Sequence, residues 1–60
     1  MFEYQYEQVA PYVITKQVID DGDYVYWKKP DGKLISDFNM CVQEWIWFLN
    51  QNAKEHYRGY

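Results

Sequence analysis

Apolar and polar positions alternate at the start of the chain, where Phe2, Tyr4 and Tyr6 are separated by Glu3, Gln5 and Glu7. A period of two marks a half-buried strand and carries no helical stripe. Pro11 sets the end of that strand, since proline cannot donate to a ladder. Tyr12 to Ile19 is rich in β-branched residues and Tyr24 to Lys29 is again aromatic and branched, with Asp20, Asp21, Gly22 and Asp23 between them. Two such runs around a cluster of turn formers predict a hairpin. Asp21-Gly22 suits a two-residue type I′ turn, and that turn would pair Ile19 with Tyr24 and Gln17 with Tyr26. Pro30, Asp31 and Gly32 predict a second turn, in which proline presets φ at the first central position and glycine accepts the left-handed conformation afterwards. Leu34 and Ile35 then form at most a short third strand.

From Ser36 onward the period changes. Ser36 is placed as a helix N-cap, with Asp37 in the electropositive first turn, and the helix is expected from Asp37 to about Ala53, fraying before Gly59. At about 100° per residue, Phe38, Val42, Trp45 and Leu49 fall close to one line, flanked by Cys41 and Phe48 on one side and Ile46 on the other. Met40 and Trp47 lie on the opposite face among Gln43, Glu44 and Gln51, so the helix carries a second, narrower apolar stripe. One face is expected on the sheet and the other towards a partner. The pattern predicts an α+β fold: a small antiparallel sheet of two to three strands with one long C-terminal α-helix packed across it. Residues 1–60 read as a single domain, with no repeat, linker or low-complexity segment.

Composition adds a constraint on assembly. Of 60 residues, 22% are aromatic and 25% charged, so the chain has the apolar material to fold. A lone core of this size seldom supplies more than ~3–5 kcal/mol. Cys41 is the only cysteine and His56 the only histidine, which leaves neither an intrachain disulfide nor a four-ligand zinc site as a staple. Self-association remains, and three Trp, seven Tyr and three Phe are more ring surface than one small core encloses. A homodimer is therefore expected. The net charge of −3 disfavours direct binding to nucleic acid and favours a basic partner. The start of the sequence reads as lacking a basic, apolar leader, and the longest apolar run, Trp45 to Leu49, is too short for a membrane span. A cytosolic protein with no membrane association is expected.

Candidate chemistry is sparse, and neither an enzyme nor a cofactor or metal site is expected. His56, beside Lys54 and Arg58, suits a helix C-terminus better than a catalytic role. Cys41 lies beside the core stripe, where cysteine behaves as a small hydrophobe. Asp20, Asp21 and Asp23 resemble part of a calcium loop but lack its remaining ligands. Turn chemistry accounts for each of them, and together they contribute to a negative surface that could imitate phosphates. Tyr24, Tyr26 and Trp27, with Lys28 and Lys29, are of the kind that stack on single-stranded bases, or else they form sheet core and dimer seam. Phe38 is either packed under the hairpin or lines a pocket for an inserted partner side chain.

The order Tyr12, Ile14, Thr15, then Asp20-Asp21-Gly22, Tyr26, Gly32 and Ser36-Asp37-Phe38 resembles the small inhibitors of uracil-DNA glycosylase carried by podoviruses of Bacillus. The resemblance runs from Tyr12 to about Phe38 and extends to chain length. It implies a homodimer with an antiparallel sheet crossed by a helix, acting as a DNA mimic in the groove of the host enzyme. That enzyme wedges an apolar side chain into the minor groove while flipping uracil out, and the inhibitor receives the wedge in an apolar pocket instead. Phe38 matches the family's pocket phenylalanine, and Asp37 and Glu44 would stand in for phosphates near it. Three positions depart from the family: Trp27 and Asn39 stand where it has acids, and Val42 where it has a pocket tyrosine. Trp45 or Trp47 would supply contact area in compensation. Together with Met40 and Tyr26, these residues make up the expected partner-binding set, in a phage protein acting in the host cytoplasm. A single-strand nucleic-acid binder and an inhibitor of another host protein of DNA metabolism, such as a polymerase or nuclease, are the rival expectations.

Overall fold

The computed structural model describes residues 3–57, with side chains placed for residues 3–53. The chain is α+β: α1 (Tyr6–Lys16), β1 (Val18–Asp20), β2 (Val25–Lys28), β3 (Leu34–Ile35) and α2 (Phe38–Tyr57). The three strands form one antiparallel sheet in the order β1-β2-β3. Two helices pack with it, where the pattern had predicted one.

The extra helix takes up the end of the first predicted strand and most of the second. Glu3 to Gln5 is irregular, Tyr6 to Lys16 is helical and β1 is confined to Val18–Asp20; Phe2 lies outside the described residues. Tyr6, Val9, Ala10 and Val13 are spaced i, i+3, i+4, i+7, a helical stripe that the alternation before it and the β-branched run after it obscure. Val9 and Val13 from this stripe are buried. The ends of α1 are also suited to a helix. Gln8 accepts the Gln5 N–H through its side chain at 2.8 Å, Glu7 lies in the positive first turn and Lys16 in the negative last one. Pro11 sits inside the helix instead of ending a strand. It has no N–H for the carbonyl of Glu7, four residues back. Its own carbonyl accepts the Thr15 hydroxyl at 2.7 Å.

The turn of the first hairpin is shifted by one residue from expectation and the pairing therefore by two, Ile19 lying opposite Tyr26 and not Tyr24. Val18 pairs with Trp27, Ile19 with Tyr26 and Asp20 with Val25, so the loop is Gly22-Asp23. Gly22 alone has positive φ, +96°. Positive φ at only the first central position follows the II′ pattern and not I′. Side chains select this register: the Asp20 carboxylate accepts the Gly22 N–H at 2.9 Å and the Asp21 carboxylate the Tyr24 N–H at 2.8 Å. The second turn forms as expected. Gly32 N–H donates to Lys29 O at 2.9 Å with Pro30 at the first central position, and Gly32 follows at φ +90°, a three-residue hairpin loop closed by a left-handed glycine.

At α2 the cap is Asp37 and not Ser36. Its carboxylate accepts the Met40 N–H at 3.0 Å and its carbonyl the Cys41 N–H at 3.1 Å, so the helix begins at Phe38. It runs past the expected Ala53 to Tyr57. The core consists of Val9 and Val13 from α1 with Cys41, Val42 and Trp45 from α2, and Trp27, Ile35, Phe38, Ile46 and Leu49 close around it. Val18, Trp27 and Ile35 are cross-strand neighbours on the sheet face that meets α2. Ile19, Tyr26 and Leu34 occupy the other face.

A proline in a helix interior costs up to ~3 kcal/mol, partly offset by the freedom it removes from the unfolded chain. Pro11→Ala restores the donor to Glu7 and is expected to stabilise the fold by about 1 kcal/mol or more, read as a higher urea midpoint. A lower midpoint would show that α1 depends on the proline.

Candidate functional site

The element that positions every candidate residue is the contact between α2 and β2. The Trp45 indole N–H donates to the Lys28 carbonyl at 2.7 Å, and the Cys41 thiol approaches the same oxygen at 3.4 Å. Edge-to-face contacts extend from Trp45 to Tyr12 and Phe48, with ring centroids 5.4 and 5.3 Å apart. The α1 side is held by Tyr6, whose hydroxyl donates to Asn39 Oδ1 at 2.7 Å, and by the Tyr4 N–H on Asn50 Oδ1 at 2.6 Å. With both flanks of α2 occupied, its third face stays in solvent.

Of the nine expected partner-binding residues, three are interior or nearly so. Val42 is wholly enclosed and Trp45 is buried beneath Tyr12 and Phe48. Trp27 is half-buried and faces α2, with its ring 5.3 Å from that of Phe38 in an edge-to-face contact. Its indole N–H is enclosed without a partner, a desolvation cost of about 1–3 kcal/mol. Phe38 is likewise half-buried at the first turn of α2, so it packs under the sheet while keeping part of its ring outside.

The outer face of α2 displays Met40 and Trp47, which are 52% and 60% exposed. Asp37 lies exposed at the end of this face, with one carboxylate oxygen committed to the cap. Glu44 is half-buried and forms an ion pair with Lys29 at 3.7 Å. Tyr26 is separated from this surface. It lies on the outer face of the sheet beside Tyr24, with ring centroids 6.2 Å apart. Ile19 and Leu34 share that face, both with large exposed fractions.

This arrangement splits the expected stacking platform: Tyr24 and Tyr26 point outward, Trp27 points inward, and Lys29 is engaged with Glu44. The expected second stripe of α2 is present, and the Asp20, Asp21 and Asp31 carboxylates all accept turn amides. What sequence reasoning missed is a groove between the β2–β3 turn and α2, with a volume of about 320 Å³, lined by Lys29, Pro30, Asp31, Glu44, Trp47, Phe48 and Gln51. Glu44, Trp47, Phe48 and Gln51 follow a helical spacing that would have revealed one wall. The opposing wall depends on how the turn folds back.

Among the described residues, no group of three or more His, Cys, Asp or Glu could hold a metal ion, and no helix is long and apolar enough to cross a membrane. The side chains of Lys54 and His56, and Arg58 altogether, lie outside the described residues. Set against known protein families, curated proteins and solved structures, the chain matches none.

Burial pushes the Cys41 thiol above its ordinary 9.0; Lys29 opposes the rise and Glu44 adds to it. A raised pKa in the folded state leaves the thiol's contribution to stability intact below pH 9.0, and the contribution is lost as pH rises through the folded value, because the unfolded chain ionises first. Unfolding temperatures are therefore expected to fall more steeply above pH 9.0 in the native chain than in Cys41→Ala. Identical alkaline slopes would mean that the thiol is not held neutral by burial.

Proposed function

We propose that the chain is a homodimeric, non-enzymatic phage inhibitor of host uracil-DNA glycosylase, acting in the host cytoplasm by occupying the enzyme's DNA-binding groove. The observation that carries this reading is the outer face of α2, where the exposed thioether of Met40 and indole of Trp47 share the helix surface with the carboxylates of Asp37 and Glu44. An enzyme groove that binds duplex DNA is basic. Acids at the rim steer encounter with it, while Trp47 and Met40 provide the apolar anchor that a wedge side chain requires. The Ser36-Asp37-Phe38 resemblance supports the same reading. Val42 and Trp45 contribute from within by fixing the helix, and Trp27 by supporting Phe38.

The second copy belongs on the outer sheet face. The chain exposes 4708 Å², whereas a compact monomer of 7.4 kDa exposes about 4200 Å². Ile19, Tyr24, Tyr26 and Leu34 present exposed apolar surface on the side of the sheet opposite α2, with Lys28 beside Leu34. Pairing there leaves the acidic helix face of each subunit free for the enzyme.

Two measurements test the reading. Uracil excision from DNA should be abolished by stoichiometric protein. Trp47→Ala should weaken inhibition by roughly thirtyfold, equivalent to about 2 kcal/mol, with a urea midpoint close to that of the native chain; undiminished excision at a clear excess of protein excludes the inhibitor. The double variant Ile19→Lys/Leu34→Lys should sediment as a folded monomer where the native chain sediments as a dimer. A native chain that stays monomeric, or a double variant that stays dimeric, removes the sheet face as the seam.

A further inference from the structure

We infer that the groove between the β2–β3 turn and α2 is a receptor for an arginine side chain presented by a partner protein. The groove has walls of opposite origin. Pro30 and Asp31 come from the turn, and Glu44, Trp47, Phe48 and Gln51 from successive turns of the helix, enclosing about 320 Å³. Two carboxylates and one ammonium line it, for a net charge of −1. The ammonium is already matched, since Lys29 lies 3.7 Å from Glu44 in a pair accessible to water. Asp31, in the lining, uses one oxygen for the Lys33 N–H at 2.9 Å, which leaves its carboxylate with further acceptor capacity.

The lining chemistry selects the ligand. Trp47 is the most exposed of the large residues on the helix face, and an indole plane beside carboxylates binds cations through its negative face. Pro30 and Phe48 provide an apolar contact for a methylene stem. A lining that combines two carboxylates with a glutamine side chain suits a planar donor with several N–H groups in a fixed fork. Guanidinium meets that description and, being weakly hydrated, stacks on aromatic rings more readily than an ammonium does. The proposal deepens the inhibitor reading and rests on it only for which protein carries the arginine: a groove that binds DNA phosphates presents such side chains.

The full-length chain is titrated with N-acetyl-arginine amide and, in parallel, with N-acetyl-citrulline amide, which has the same shape without the charge. Binding is followed by heteronuclear NMR of the three tryptophan indole N–H signals, with Trp47 assigned through Trp47→Phe. The expected result is a saturable shift of the Trp47 signal with the arginine compound alone, Trp27 and Trp45 remaining in place, and roughly threefold or greater weakening in Asp31→Asn and in Glu44→Gln. Absence of a saturable shift, an equal response to citrulline, or indifference to both substitutions overturns the proposal. The titration and the excision assay can fail separately: arginine binding without inhibition retains the groove and removes the glycosylase as its partner.

Discussion

The Lys28 carbonyl is the point on which the architecture depends. It lies where β2 passes beneath α2, and it accepts the Trp45 indole N–H at 2.7 Å with the Cys41 thiol close by. A backbone acceptor drawn partly out of water in this way loses hydration that these contacts replace. Pairing it to a large ring fixes both the distance of α2 from the sheet and its rotation. Because Trp45 faces the strand, Val42 and Cys41 are turned inward, and Met40 and Trp47 are turned towards solvent.

That rotation shapes the candidate surfaces. With α1 and the Tyr4 segment before it against one flank of α2, through Val9, Val13, Tyr6 and Tyr4, and β2 against another, the helix has one free face, and it is both apolar and acid-rimmed. Lys29, the residue after the anchored carbonyl, is brought within reach of Glu44. The Pro30-Asp31-Gly32 turn follows immediately and closes the groove over Trp47 and Phe48. The groove is thus a consequence of the same anchor.

The sheet pays for its inward packing with an uncovered outer side. Trp27 and Ile35 are drawn towards α2, so their strand neighbours Tyr26 and Leu34 must face out. Among the described residues there is no further element to cover them. Exposed rings here follow from small size and strand alternation, and a second subunit offers a way of removing them from water.

Sequence alone determined the features governed by local chemistry. The Pro30-Asp31-Gly32 loop was legible because proline and a left-handed glycine each fit few backbone conformations, and both stripes of α2 were legible because a helix repeats its faces over many residues. Tertiary structure decided the rest. Tyr12 to Thr15 has strand-like residues, yet Val9 and Val13 are buried as part of a helix because burial against Cys41, Val42 and Trp45 outweighs local preference and an internal proline. The hairpin register turned on the Asp20 and Asp21 carboxylates finding backbone amides, and the start of α2 on that of Asp37 doing so, choices between adjacent residues that composition does not make. The groove lay beyond the reach of sequence because its walls, Pro30-Asp31 and Glu44 to Gln51, meet only when the turn folds back against the helix.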